Sequence, residues 1–363
     1  MLNYVIRRLL LMIPTLIGMT IVAFSVIALQ PGGIGGSFQA QMENLKPETR
    51  KALEDYYKKR YGLDDPLPTQ YLKWLNHVSP VGAKEKGVGF PAQATFGFKT
   101  PDLGESQSRH RPVTALMMEA LPITLLLQLI SLPLFYGVGI WTGIRSARSR
   151  GKMVDIGLGV ILLALFSMPE IWVGVLLIGF LTNQADYPML AWFPSNGLHD
   201  VRAGSMLFLP HVINGVFQRG WLLDMIWHLF LPVLCMVYGH FAYLSRLQRG
   251  VMIDSLSQDY VRTARAKGLS EKVVIYRHAF RNSMISLITV AASILPALIS
   301  GSIVVEYIFG IAGMGRLMVE AVQSRDRELL LSLLLVVGAL QLFGHFFADL
   351  AYAVADPRVS YAD

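Results

Sequence analysis

The chain has 363 residues, 53% of them hydrophobic and only 16% charged, with a mean hydropathy of +0.46. Soluble globular chains carry about 25% charged residues, so this composition belongs in a bilayer. The net charge of +7 would suit a nucleic-acid partner, but the basic residues gather beside hydrophobic runs with no interleaved aromatic pattern, which excludes that reading and fits membrane orientation.

Six apolar runs approach the roughly 20 residues needed to cross the hydrocarbon core, which predicts an all-α polytopic membrane protein. The first runs from about Leu9 to Leu29, behind Arg7-Arg8. It is longer than the roughly 7–15 residues of a signal core and no small-residue cleavage site follows, so it reads as a retained anchor. Residues 31–112 form a long connecting segment, opened by the turn Pro31-Gly32-Gly33. A charged helical piece is expected from Pro47 to Tyr61, a break over Gly62–Pro68, a short amphipathic helix over Tyr71–Leu75, and irregular chain from 78 to 112. This segment has too few apolar residues for its own core and reads as a small cap.

The remaining runs cover about Leu121–Ile144, Ile156–Thr182, Met225–Leu244, Met284–Val305 and Leu329–Val354. His228 and Pro232 interrupt the start of the fourth. The three parts of the chain are thus 1–30, 31–112 and a core of 113–363. Arg7 and Arg8, the group Arg145, Arg148, Arg150 and Lys152, and the basic residues between Arg246 and Arg281 alternate correctly for cytoplasmic loops. Both termini are then cytoplasmic, and the cap and the Asn183–Gly220 segment lie outside, the latter with Trp192-Phe-Pro194 as an interfacial anchor.

The stretch from Gln258 to Asn282, inside a loop of 245–283, is far longer than a turn requires. Helix-forming Ala, Arg and Lys precede Gly268 and a second helical pattern follows it, which suits a docking surface at the cytoplasmic face. Ala264 and Ala266 permit close approach, Gly268 permits a sharp turn, and Arg262, Arg265 and Lys267 can pair with acidic groups on a partner.

Catalytic motifs are missing. No phosphate loop of the form G-x-x-x-x-G-K-[ST], no H-E-x-x-H metal helix and no G-x-S-x-G elbow occurs, and the glycines at 32, 33, 35 and 36 read as a turn. Cys235, the single cysteine, excludes an intrachain disulfide and reads as a small buried apolar residue. His240 and His278 have no second ligand nearby in sequence. Glu170, behind Pro169 in the third run, either lines a polar path or pairs with a neighbouring helix. Gln128 offers the same choice, with packing preferred. His345 and Asp349 share a helical face and read as a structural or intersubunit contact. A channel or ion-coupled carrier built on Glu170 and Asp349 would work without an ATPase, which reconstitution of the chain alone would reveal.

Ordered motifs carry a resemblance along nearly the whole chain. Tyr4-Val-Ile-Arg-Arg8, Gln30-Pro-Gly-Gly33, Tyr61-Gly-Leu-Asp-Asp-Pro-Leu67, Asp102-Leu-Gly-Glu-Ser106 and Leu121-Pro-Ile-Thr124 come first. Asp259-Tyr-Val-Arg-Thr-Ala-Arg-Ala-Lys-Gly268, His278-Ala-Phe-Arg-Asn282, Glu306-Tyr-Ile-Phe309, Gly313-Met-Gly315 and Asp356-Pro-Arg358 follow. Together they resemble the first permease type of bacterial ATP-binding-cassette importers of the peptide/nickel family. The resemblance implies a type I importer fold and cytoplasmic coupling helices seated on ATPase subunits. The family's Glu-Ala-Ala-x-x-x-Gly pattern falls on Arg262, Thr263, Ala264 and Gly268, with Arg in place of Glu, and the coupling contact extends over Arg265, Ala266, Lys267, His278 and Asn282. It also implies two ATPase subunits holding ATP and magnesium, no cofactor in this chain, a second similar permease, and an extracytoplasmic binding protein. Glu170 and Gln128 are candidates for the translocation path, and Glu306, Gly313 and Gly315 for a flexible re-entrant outer gate, an ordinary loop being the alternative.

Overall fold

The computed structural model describes residues 2–29, 47, 51, 55, 58, 62–84, 95–213, 215–284, 287–288 and 302–355. In chain order these form α1 (Leu2–Ala28), α2 (Leu67–Val78), β1 (Val81–Lys84), β2 (Thr95–Phe98), β3 (Glu105–Ser106), β4 (Arg111–Pro112), α3 (Val113–Arg148), α4 (Met153–Ser167) and α5 (Glu170–Leu181). There follow β5 (His211–Ile213), β6 (Val216–Gln218), α6 (Gly220–Ser257), α7 (Asp259–Ala266), a single turn Glu271–Val273 running into a π-helix over Val274–Ala279, α8 (Ile303–Ile308), α9 (Met314–Gln323) and α10 (Arg327–Ala355). The strands pair as three antiparallel two-stranded ribbons, β1–β2, β3–β4 and β5–β6. The all-α expectation is corrected to that extent, and 78–112 contains two of these ribbons rather than irregular chain alone.

Among the described residues, four helices are long and apolar enough to cross a membrane: Val5–Val26, α3, α6 and Arg327–Leu350. Most of the expected fifth run, Met284–Val305, falls outside the described residues, as does most of the helix expected over Pro47–Tyr61. The expected third crossing is not one rod. It is the pair α4 and α5, bent by 94° at Met168-Pro169. Proline brings no N–H and pushes its predecessor out of the helical region, and Met168 is indeed extended (φ −83°, ψ 124°).

The fourth crossing is corrected in the opposite sense. The helix runs unbroken for 38 residues through His228 and Pro232. Pro232 removes a single backbone bond, while Leu229, Leu231 and Val233 around it are buried and hold the helix together. At about 1.5 Å per residue, α6 is about 57 Å long, well beyond a hydrocarbon core of roughly 30 Å. Residues 245–257 therefore belong to this helix and not to a loop.

The chain forms two compact units, Met1–Glu119 with Met318–Leu342, and Ala120–Leu317 with Phe343–Asp363. In the first, Phe24 of α1 packs against Tyr71 and Trp74 of α2, at ring separations of 5.5 and 5.7 Å, and Thr20 Oγ1 meets the Tyr71 hydroxyl at 2.9 Å. Buried Asp326 accepts from Ser106 Oγ, Ser108 N and Ser108 Oγ and caps α10 through Leu329 N, at 2.6–3.1 Å. Arg109 and Glu320 add an ion pair.

In the second unit α6 is the centre, with 56% of its apolar window buried against 22% for α1. Leu127 and Phe135 of α3, Leu229 to Leu244 of α6, and Val305, Phe309 and Ile311 make its main core. Helices α3 and α6 cross at Gly139 and Gly143. A Cβ at Gly143 would stand 2.8 Å from the Ser245 carbonyl oxygen, so only glycine allows this approach, and Thr142 Oγ1 bonds Ser245 Oγ at 2.8 Å across it. Many large apolar side chains of α1, α4 and α5 remain exposed in the isolated chain, including Leu10, Ile13, Ile161 and Trp172. Such faces suit lipid or protein neighbours.

Candidate coupling element and transport cavity

Helix α7 is amphipathic on a short scale. Val261 and Ala264, three residues apart, are buried, and the intervening and flanking residues are exposed. The buried pair joins Ile144 and Ala147 of α3, Met252 of α6, and Val274, Ile275 and Ala279 of the π-helix in one apolar cluster. Gly268 ends α7 in the left-handed conformation (φ +73°), and the Gly268 and Leu269 amides return to the carbonyls of Arg265 and Ala264 at 2.9 and 3.4 Å.

The expected coupling residues divide accordingly. Arg262, Thr263, Arg265, Ala266, Lys267, Gly268 and Asn282 are exposed, and His278 is half-buried in the π-helix. Ala264, expected at the partner surface, is only 4% exposed and packs inward, because a small residue is needed where α7 lies on α3 and α6. Arg265 already has an acidic partner, Glu271, at 2.8 Å, and Arg262 reaches Asp259 at 3.4 Å. The Arg265 guanidinium, by hydrogen bond, holds the Glu271 carboxyl below the usual carboxylate range. Sequence reasoning missed Tyr260, Leu269 and Tyr276, each 39–45% exposed around the same turn. Aromatic and aliphatic groups on a charged surface were the available signal.

An ion pair that no motif announced joins α4 to α6, with its carboxylate buried. Asp155, at the start of α4, takes two bonds from Arg249 of α6 at 2.7 and 2.8 Å, one from Ser146 Oγ at 2.5 Å and one from Gly151 N at 3.0 Å. Its four acceptor sites are filled, which is what a carboxylate with 6% exposure requires.

The break between α4 and α5 creates the second site. Two carbonyls at the break accept from α6: Tyr238 donates its hydroxyl to Met168 O at 2.7 Å, and Cys235 Sγ donates to Glu170 O at 3.5 Å. A partly open cavity of about 300 Å³ lies against this break, lined among others by Phe166, Glu170, Tyr238, His240 and Tyr243. Glu170 is half-buried and receives a 3.2 Å bond from Ser302 Oγ. Gln128 is half-buried on α3 and does not line this cavity, so the two expected path residues do not come together. His240, read from sequence as isolated, does line it.

Glu306 has another environment. It is fully buried, and its carboxylate accepts from Thr124 Oγ1 at 2.8 Å, Gly315 N at 2.6 Å and Arg316 N at 3.2 Å. Thr124 Oγ1 also takes the Met314 amide at 2.8 Å. Three amides at the start of α9 are thereby satisfied by two side chains. A Cβ on Gly313 would fall 2.5 Å from Glu306 Oε2, and one on Gly315 would fall 2.7 Å from the Ile303 Cα. The glycines expected to give flexibility instead make room for a carboxylate, so the loop is a pinned turn.

Residues 138–361 match the family described as the binding-protein-dependent transport system inner membrane component, and residues 1–128 match the N-terminal part of such components. The chain belongs to this family. It is a multi-pass inner-membrane permease of a binding-protein-dependent importer. The oligopeptide transport system permease protein AppB of Bacillus subtilis is 33% identical over 99% of both chains. The di/tripeptide transport system permease protein DppB of Pseudomonas aeruginosa is 33% identical over the same shares. A chain of the inward-facing methionine ABC transporter MetNI aligns with 67% of the permease and 97% of its own length, at a TM-score of 0.50 and 14% identity, which is a likeness of fold.

Proposed function

We propose that this permease is one of two similar subunits enclosing the translocation path of an ATP-driven peptide importer, with an extracytoplasmic binding protein delivering cargo and two ATPase subunits supplying force. The relatives AppB and DppB support the peptide assignment through their names. In this reading the chain crosses the membrane six times, both termini are cytoplasmic, and residues 31–112 form the cap outside. ATP and magnesium are held by the ATPases, and the permease contributes no cofactor.

The observation that carries the reading is the seating of α7. Its buried side is welded to α3 and α6, while Tyr260, Arg262, Thr263, Ala266, Lys267 and Gly268 face outward. A partner pressing on that exposed side moves α6, and α6 lines the cavity at the broken span. Closure of the ATPases on ATP would switch the cavity between inward and outward access, and hydrolysis would reset it. Glu170 borders the path, and the turn through Glu306, Gly313 and Gly315 acts as an outer gate that moves as one piece.

Gly268→Asp tests the coupling step. Nothing lies within 4 Å of a Cβ at this position, so the change adds no clash, only a left-handed strain that Asp tolerates better than most residues. The variant should insert normally but lose co-purification of the ATPase and lose uptake. Normal ATPase association would overturn the coupling role.

A further inference from the structure

The cavity at the broken span has a polarity of its own. Two of its donors are spent on the chain itself, the Tyr238 hydroxyl on Met168 O and the Cys235 thiol on Glu170 O, which leaves the half-exposed Tyr243 hydroxyl. The acceptors of the cavity are not spent. Glu170 receives one side-chain bond, at 3.2 Å from Ser302, where a carboxylate can accept about four. His240 places Nδ1 at 2.8 Å from the Met236 carbonyl, so in the neutral ring Nδ1 donates there and Nε2 is left as an acceptor. The walls are aromatic. Phe166 and Tyr243 stack at 6.4 Å, Tyr238 lies beside them, and the His240 ring packs on Phe135 at 5.5 Å.

A carboxylate, a neutral imidazole acceptor and π-faces around one space form a receptor for a cation with several N–H donors. The Phe166 ring already carries one, the Arg246 guanidinium at 6.0 Å, although Arg246 does not line the cavity. The volume of about 300 Å³ is at the lower end of small-molecule sites, roughly 300–1,000 Å³. It holds one end of a peptide and not the whole. Position adds a further argument: the site lies at a break in a membrane-spanning pair, where transporters place their ligands.

We propose that this cavity receives the protonated α-amino group of the peptide in transit, with Glu170 as its counter-ion, His240 Nε2 as a second acceptor, and Phe166, Tyr238 and Tyr243 as the aromatic enclosure. The proposal rests on the peptide-import reading above. It makes the permease itself, and not the binding protein alone, selective for a free amino terminus. Cargo with a blocked amino terminus would leave Glu170 unpaired inside the cavity, a state that costs more than a missing contact.

Two measurements separate the site from the reading beneath it. The complete transporter in proteoliposomes, with its ATPases and binding protein, is first assayed for ATP-dependent uptake of trialanine. The same complex in nanodiscs, without the binding protein, is then photolabelled with an alanine tripeptide bearing benzoylphenylalanine at its second residue, in free-amine and N-acetylated forms, and the labelled segments are mapped. The free amine should label residues 166–170 or 235–243 at least tenfold more than the acetylated form does, Glu170→Gln should remove that preference, and Glu170→Asp should retain part of it. Equal labelling of these segments by both peptides, or labelling only elsewhere, overturns the site even in the unaltered protein. Absence of trialanine uptake overturns the peptide reading and the site together, whereas uptake with unselective labelling overturns the site alone.

Discussion

Glu306 and Glu170 are both carboxylates within the larger unit, and they show what a protein does with such a group when it is needed for structure and when it is not. Glu306 is fully enclosed and takes three hydrogen bonds, two of them from the amides that open α9. Glu170 is half-exposed on a cavity and takes one, at 3.2 Å. The first, at 0% exposure, has no space left for a ligand. The second has both space and capacity. A charged residue in a membrane protein is therefore informative only together with the census of its partners.

The sharpest way to break this comparison is Glu306→Ala. It strands the Thr124 hydroxyl and two amides in the interior, and at about 1–3 kcal/mol for each unsatisfied group the loss should exceed about 3 kcal/mol. The purified transporter should then unfold at a markedly lower temperature or fail to accumulate. Thr124→Val keeps the volume but removes one donor to Glu306 and the acceptor of the Met314 amide, with an expected loss of about 1–3 kcal/mol by the same measurement. Glu170→Gln should change the melting temperature little, by less than the equivalent of about 1 kcal/mol, since it replaces a group with a single bond; a collapse as deep as that of Glu306→Ala would erase the distinction.

The smallest effect is expected at the exposed Arg265–Glu271 pair. Glu271 has a depressed folded-state pKa, so its contribution is present above the unfolded value and is lost as pH falls through the folded one. Both side chains are roughly half exposed, so screening limits Arg265→Ala to under about 0.5 kcal/mol at neutral pH. A larger loss, read from acid titration of thermal stability in both proteins, would show that the pair holds the coupling turn in shape.

Legibility followed the kind of signal. Long apolar runs and the Ala/Gly pattern before Gly268 depend on local chain chemistry, and α1, α3, α6, α7 and α10 lie where those patterns fall. The 94° bend was signalled by Pro169, but a proline in a membrane helix need not break it, as Pro232 in α6 demonstrates. The difference lies in the neighbours: Tyr238 and Cys235 satisfy the opened backbone at the first site, and a surrounding apolar core holds the second shut. Ala264 was read as a partner contact because spacing gives a helical face without saying which body lies against it. The Gly139/Gly143 crossing is legible in principle as a small-residue pair four apart.

By itself the sequence determined a multi-pass membrane protein and an over-long basic segment suited to docking, because hydropathy and charge placement act along the chain and need no partner to be read; the permease family came from its ordered motifs, as a resemblance. Only the tertiary structure decided which carboxylate is a structural pin and which faces a cavity, and which side of α7 is free. Those properties depend on distances between residues as far apart as Thr124 and Glu306, or Glu170 and Ser302, and no local pattern contains them.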